Sequence, residues 1–251
     1  MRRYRLRVPA AEAEPALVRM LDLFPGGVEE ERDGDDVVLA GYADEAPADG
    51  LESDEVEPGW EDRWREYHRP VTVGRIWVGP PWAGDCPHPV GDSPRDSPRD
   101  SPLAIVIDPG RAFGTGGHGS TRAALELLQR LDPCPALDLG CGSGVLAIAA
   151  ARLGFGPLAC FDRDPLAVGA TAENAERNGV AVEVSQADVL VDPLPPAPLW
   201  IANLELGLLR NLLERPDLPP RILVSGLLDP ETVGGAERVV ADGWAAELVE
   251  P

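Results

Sequence analysis

The chain has 251 residues, enough for one large domain or a large and a small one, and its 44% hydrophobic and 26% charged residues are those of a globular protein. It carries 43 acidic residues against 22 basic ones, all of them arginine, for a net charge of −21; such a surface repels phosphate backbones, which disfavours a general nucleic-acid binder and permits a basic protein partner. No window holds the unbroken apolar run of a membrane span, and "MRRYRLRVPA" lacks the apolar stretch of a signal peptide, so a cytoplasmic protein with no membrane partner is expected.

"RRYRLRVP" alternates Tyr4, Leu6 and Val8, which predicts a half-buried strand. "AAEAEPALVRMLDLF" predicts an amphipathic helix stopped by Pro25, Gly26 and Gly27, and "GVEEERDGDDVVLAGYAD" a hairpin turning near Asp33-Gly34. Residues 43–59 are acidic and rich in Pro and Gly and read as a poorly packed connection. In "WEDRWREYHRP" Trp60, Trp64 and Tyr67 share one helical stripe, a linker helix packing its aromatics. "VTVGRIWVGPPW" is a strand or a pair of short strands. From Ala83 to Pro102 a Ser-Pro-Arg-Asp repeat lacks the apolar surface to fold and reads as a flexible insertion. This divides the chain into an N-terminal domain at 1–57, a linker region at 58–102 and a main domain at 103–251.

Beyond Leu103 strands alternate with helices. Strands are predicted at 103–107, 136–139, 157–162, 180–185, 199–203, 221–225 and 244–249, and helices at 121–131, 145–153, 165–178, 206–214 and 230–241. Such alternation builds a parallel sheet covered by helices, an α/β fold. Asp164-Pro165 supplies an N-cap and first-turn proline, and Gly179 a left-handed stop.

Gly140, Gly142 and Gly144 fall where a strand turns into a helix, a place where a ligand can lie against backbone with no Cβ in the way. Asp162 lies 22 residues past Gly140, at the end of the next strand, where a carboxylate can accept both hydroxyls of a ribose. The spacing is Gly-x-Gly-x-Gly rather than the dinucleotide pattern, and Asp138 before the turn repels a pyrophosphate but suits an ammonium group. A nucleoside joined to an amino acid describes S-adenosyl-L-methionine. In "DPGRAFGTGGHGSTRAALELL", Ser120 or Thr121 can cap a helix whose N-terminus suits the methionine carboxylate, and Phe113 and Thr115 can fold over the sulfonium. His118 reads as a hydrogen-bonded strut. Asn203 closes the strand in "LWIANLEL"; its amide can orient a nucleophilic nitrogen or contact the cofactor, and the following Leu204-Glu205 favours a tetrahedral amine over a planar acceptor. Cys86, Cys134, Cys141 and Cys160 and the three histidines show no zinc or disulfide spacing, so no metal is predicted.

The stretches "GWEDRWREYHRPVTVGRIWVGPPW", "DPGRAFGTGGHGSTRAALELL", "LDLGCGSGVLAIAAARLG", "FDRDPLAV", "AENAERNGV", "IANL" and "LVSGLL" closely resemble, in order, those of PrmA-type methyltransferases acting on large-subunit ribosomal protein eleven. The resemblance implies a class I S-adenosylmethionine-dependent methyltransferase domain with a Rossmann-like parallel sheet, preceded by a small α+β substrate-recognition domain. It implies N-methylation of lysine or α-amino groups of a basic ribosomal protein, with Thr121, Gly140, Asp162 and Asn203 as cofactor contacts. Asn203 is the predicted catalytic residue; Phe113, Thr115, Thr121, Asp138, Gly140, Gly142, Asp162 and Asn203 are the predicted cofactor-binding set. The chain departs from the family in three ways. Gly119-Ser120-Thr121 stands where Pro-Thr-Thr is usual, the Ser-Pro-Arg-Asp segment looks inserted, and "GWAAELVEP" stops where a final antiparallel strand is expected. Rival readings are a same-fold methyltransferase for another protein or a small molecule, an NAD-dependent oxidoreductase, and a non-catalytic binding module.

Overall fold

A computed structural model describes residues 2–9, 16, 19, 20, 23, 24, 28–34, 36–43, 48, 50–55, 69–84, 102–108 and 116–251. Tyr4 and Val8 are the buried positions of the alternating strand β1 (Arg2–Pro9). β2 (Glu29–Asp33) and β3 (Asp36–Ala43) form the predicted hairpin, and β1 lies between β3 and β4 (Glu52–Glu55) in an antiparallel sheet of order β2-β3-β1-β4. β4 corrects the reading of residues 43–59 as a poorly packed connection, since residues 52–55 pair with β1. Its acidic side chains meet a basic strand: Arg5 Nη2 lies 2.8 Å from Asp54 Oδ2. Within the predicted helix, Ala16, Arg19, Met20 and Leu23 are helical, and Ala16, Met20 and Phe24 pack against Tyr4 and Leu39. Pro25, Gly26, Gly27, Trp60, Trp64, Tyr67 and residues 85–101 of the repeat region lie outside the described residues. The chain divides into two compact units, Met1–Glu66 and Tyr67–Pro251.

In the second unit β5 (Val71–Val73) and β6 (Ile76–Gly79) form a hairpin, and β6 pairs in parallel with β7 (Leu103–Val106). β7 is thus not a strand of the main sheet, a second correction. The main sheet contains β8 (Ala136–Leu139), β9 (Leu158–Asp162), β10 (Glu183–Gln186), β11 (Leu199–Asn203), β12 (Arg221–Leu228), β13 (Glu237–Ala241) and β14 (Trp244–Val249), in the order β10-β9-β8-β11-β12-β14-β13. The first five positions run parallel; β14 is antiparallel to both neighbours. Helices α1 (Gly119–Leu128), α2 (Val145–Leu153), α3 (Pro165–Arg177) and α4 (Leu206–Leu213) accompany it.

Strand parity assigns the two faces. Ala136, Leu199, Ile201 and Leu223 pack with apolar residues of α1, α2 and α3, whereas Leu137, Leu139, Trp200, Ala202 and Val224 pack with Leu209 and Leu212 of α4. By the same alternation Asp138, Asn203 and Ser225 point to the α1–α3 side. The strand order reverses at β8, so the crevice between the ends of β8 and β11 is where a ligand is expected. α3 also ties β7 to this layer. The buried Asn178 side chain accepts from the Val106 N–H (2.8 Å) and donates to the Val106 carbonyl (2.7 Å).

The predicted helix over 230–241 is absent, and the final antiparallel strand is present: β13 and β14 form a hairpin with β14 beside β12. The cause is local. Asp242 (φ 50°) and Gly243 (φ 78°) make a two-residue turn with both φ positive, the geometry that matches strand twist. Ahead of it, the buried Glu247 carboxylate accepts the Val233 and Gly235 N–H groups (3.0 Å each) and pairs with Arg238. Burial pushes this carboxyl up, but the Gly235 amide, Thr232, the Val233 amide and Arg238 outweigh it and hold it below the usual carboxylate range. A Cβ on Gly235 would lie 2.8 Å from the Leu248 carbonyl oxygen. Gly235→Ala is therefore expected to destabilise the protein, by about 1–3 kcal/mol in denaturant unfolding. A helix over 230–241 would respond oppositely, gaining about 1 kcal/mol.

Candidate functional site

β8 runs into α2 through the turn Gly140-Cys141-Gly142-Ser143-Gly144, in which all three glycines have positive φ. The turn folds over the end of β9. The Gly140 and Cys141 amides both donate to the Phe161 carbonyl (2.8 and 3.1 Å), and Gly142 N–H donates to Asp162 Oδ2 (3.0 Å). Asp162 Oδ1 accepts the Asp164 N–H, also at 3.0 Å. Each Asp162 oxygen thus keeps one further acceptor direction. A Cβ on Gly140 would come within 2.6 Å of the end of the Leu204 side chain, so a larger residue there would have to displace a cleft-lining side chain in addition to adopting a positive φ.

Beneath the turn, Asp138 is 2% exposed and accepts the Ala147 N–H at 3.0 Å. It occupies the N-terminal turn of α2, where Gly144 supplies no side-chain cap. Burial first, and the Asp162 charge second, push its carboxyl up to about 7 against the pull of the Ala147 amide. The neighbouring Cys141 thiol is pushed up to about 12 by burial and the Asp138 charge, which keeps it protonated and removes it as a nucleophile.

α1 approaches from the other side. Its N-cap is His118, not Ser120 or Thr121 as predicted: His118 Nδ1 lies 2.8 Å from Ser120 Oγ and accepts the Ser120 N–H at 3.4 Å. This is the strut role expected of His118, reinforced by its ring lying 4.4 Å from that of Trp244. Thr121, the third residue of the helix, accepts from Asn203 Nδ2 at 3.4 Å, which leaves the Asn203 side-chain carbonyl oxygen as an acceptor.

Thr121, Asp138, Gly140, Gly142, Asp162 and Asn203 all line one cleft of about 260 Å³. Phe113 and Thr115 lie outside the described residues. Sequence reasoning missed the far wall, Ala187 to Leu190 after β10, together with Arg163, Leu204 and Leu208. The rule that ligands lie beyond the carboxyl ends of strands would have flagged "QAD" after β10; Leu208 carried no sequence signal. The Asp188 carboxylate accepts the Leu190 N–H at 3.0 Å and so shapes this wall.

Fold and cleft together define the class: a class I S-adenosylmethionine-dependent methyltransferase α/β fold. The sequence pattern of the ribosomal protein L11 methyltransferase (PrmA) family matches residues 44–230, and the chain belongs to that family. It is 44% identical to a ribosomal protein L11 methyltransferase of Dechloromonas aromatica over 139 residues, 54% of this chain and 43% of that one. The corresponding protein of Tolumonas auensis is 34% identical over 197 residues, 76% and 60% of the two chains. The chain thus spans about half the length of the curated relatives it matches. Among solved structures, a ribosomal protein L11 methylase of Lactobacillus delbrueckii subsp. bulgaricus superposes with a TM-score of 0.61 at 24% identity, covering 72% of this chain and 97% of that one, a likeness of fold.

Asp138 makes the stability of the ligand-free protein pH-dependent. A carboxyl whose folded pKa lies above its unfolded value favours folding when protonated, so its contribution is lost as pH rises from about 4 through about 7. Asp138→Asn is expected to melt several degrees higher than wild type at pH 8 and indistinguishably at pH 4, by calorimetry.

Proposed function

We propose that this chain is a protein N-methyltransferase that uses S-adenosyl-L-methionine and methylates lysine or α-amino groups of large-subunit ribosomal protein eleven in the cytoplasm. The observation that carries the reading is the placement of Asp138. Three successive turn amides are spent on Phe161 and Asp162, and a carboxylate already occupies the first turn of α2. Those three amides are withdrawn from a pyrophosphate, and an acid lies beside them. The arrangement suits a ligand with a ribose and a cationic amino group, which counts against the NAD-dependent reading.

The cleft fits that cofactor. Asp162 would hold the ribose hydroxyls through its free acceptor directions and Asp138 the ammonium group. Gly140 and Gly142 leave the backbone open to close approach, and Val189, Leu190 and Leu204 supply apolar wall for the base. Phe113 and Thr115 belong to the proposed set by sequence. When bound, S-adenosylmethionine supplies an electrophilic methyl group whose leaving group is a neutral thioether, so the protein need not stabilise developing negative charge. The chain's own contribution is alignment and exclusion of water. Asn203, held by Thr121, directs its carbonyl oxygen to an N–H of the incoming amine. A lysine amine has a pKa of about 10.4, and a water-poor cleft favours its neutral form. The residues 1–66 unit is proposed to recognise the ribosomal protein, whose basic character would suit a chain of net charge −21.

Incubation with methyl-labelled S-adenosylmethionine and unmodified ribosomal protein eleven tests the reading. Label is expected on the ribosomal protein and to fall at least a hundredfold for Asp162→Ala; cofactor binding without transfer would point to another acceptor, and no cofactor binding would sink it.

Protonation supplies a second test. An ammonium partner favours the Asp138 carboxylate, so binding releases a proton below about pH 7. Affinity for S-adenosylhomocysteine is expected to rise from pH 5.5 to pH 7, approaching about tenfold per pH unit at the acid end, and to lose that slope in Asp138→Asn. A flat wild-type profile would remove Asp138 from the amino-group site.

A further inference from the structure

One face of α3 and its C-cap carries Thr171, Asn174 and Asn178 at helical spacing, all buried. Thr171 Oγ1 donates to the Gly142 carbonyl at 3.0 Å. Asn174 Nδ2 donates to the Ser143 carbonyl, also at 3.0 Å. These bonds turn two carbonyls of the glycine turn toward α3, while β9 holds the turn's amides from the opposite side. The orientation of the turn is therefore set by two layers at once.

Asn174 does something that its neighbours do not. Its Oδ1 accepts the Asp108 N–H at 3.0 Å, so one side chain, 1% exposed, joins the glycine turn to the chain leaving β7. In sequence, Asp108 begins the "DPGRAFGTGGHG" stretch that leads into α1. Asn178, one turn further on, makes bonds of the same kind, but to Val106 and to the Asn174 carbonyl rather than to the glycine turn.

We infer that Asn174 is a positioning residue for the cofactor site, coupling the peptide orientation of the glycine turn to the backbone at Asp108 so that the two are set together. The inference rests on the proposed use of S-adenosylmethionine. Losing the side chain removes the bonds to the Ser143 carbonyl and the Asp108 N–H simultaneously. The ribose carboxylate is disturbed through the turn, because Asp162 is bonded to Gly142, next to the Ser143 peptide.

The test compares Asn174→Ala with Asn178→Ala, which strips buried hydrogen bonds from the same helix without touching the turn. S-adenosylhomocysteine affinity is measured by calorimetry well below both melting temperatures. Asn174→Ala is expected to bind about tenfold or more weakly and Asn178→Ala as wild type, although both melt lower. Asn174→Asp keeps an acceptor for Asp108 but sets an oxygen against the Ser143 carbonyl; it is expected to bind weakly too, and it serves if Asn174→Ala does not fold. Equal losses in the Asn174 and Asn178 variants, or none in Asn174→Ala, would overturn the inference.

Amide hydrogen exchange of the ligand-free proteins, read by NMR, separates this outcome from failure of the cofactor reading. In Asn174→Ala the Gly142, Gly144 and Asp108 amides are expected to exchange faster together, and in Asn178→Ala the Val106 amide alone. Unchanged exchange at Gly142 and Gly144 in Asn174→Ala would refute the coupling even if the wild-type protein bound no S-adenosylhomocysteine.

Discussion

The hydrogen bond from the Ala147 amide to the buried Asp138 carboxylate fixes the relation between the sheet and the helix that builds the cleft. Leu137 and Leu139 are committed to the α4 face of the sheet, so alternation sends Asp138 to the other face, directly beneath α2. There it occupies a helix N-terminus that Gly144 leaves without a side-chain cap, and the glycine turn above it is fastened to Phe161 and Asp162. A bare strand–turn–helix offers its amides to an anion. Here three of those amides are used internally and an acid sits at the helix start, the arrangement on which the proposed preference for a cation-bearing ligand rests.

A second constraint acts at α1. Its N-terminus is wedged against the C-terminal hairpin: His118 lies on Trp244, Arg122 pairs with Asp242, and a Cβ on Gly119 would lie 2.6 Å from the Trp244 ring and 2.8 Å from the Ala241 carbonyl oxygen. A larger residue at position 119 would therefore push the hairpin off the helix, so the glycine and the hairpin's seat on α1 are physically one feature. Ser225 Oγ, donating to the Ser120 carbonyl at 2.6 Å, ties the same turn to β12. Thr121, and through it Asn203, is therefore held by the hairpin as well as by its own helix.

The sequence carried the half of the site whose residues adjoin a turn. Gly140, Asp138 and Asp162 were legible because strand-ending acids and alternating glycines are local signals, and Asn203 because it ends an apolar strand. β8, α2, β11 and β14 begin and end where periodicity and caps predicted. What failed was non-local or competed with a stronger local pattern. "PETVGGAERVVA" has helix-forming residues, but Gly234-Gly235 interrupts it, and Asp242-Gly243 after it makes a hairpin turn that the helix prediction does not take into account. The cap of α1 was misassigned because a histidine ring nitrogen can accept where serine or threonine is the usual choice. The pairing of β7 with β6 spans the Ser-Pro-Arg-Asp segment, so nothing local in the sequence separates β7 from the main sheet. The wall at Ala187 to Leu190 needed the order of the strands, which no local pattern contains.

The acids of the cleft raise a chemical tension. Negative charge near a lysine stabilises its ammonium form, whereas methyl transfer needs the lone pair. A count of acids overstates the field, however. Burial keeps Asp138 protonated up to about pH 7 when nothing cationic is beside it. Asp162 spreads its charge over two backbone amides and Asp188 accepts a third at Leu190, while Arg163 adds an opposing charge on the rim. The cleft also contains the neutral amide of Asn203, the proposed guide for the acceptor amine, and the apolar Leu204 and Leu208. Acidic groups thus gather where the cofactor's ammonium and ribose would lie and neutral ones where an amine must lose its proton. Under the proposed function this separation would let one small cleft hold the cofactor's ammonium at one end and accept a neutral amine at the other.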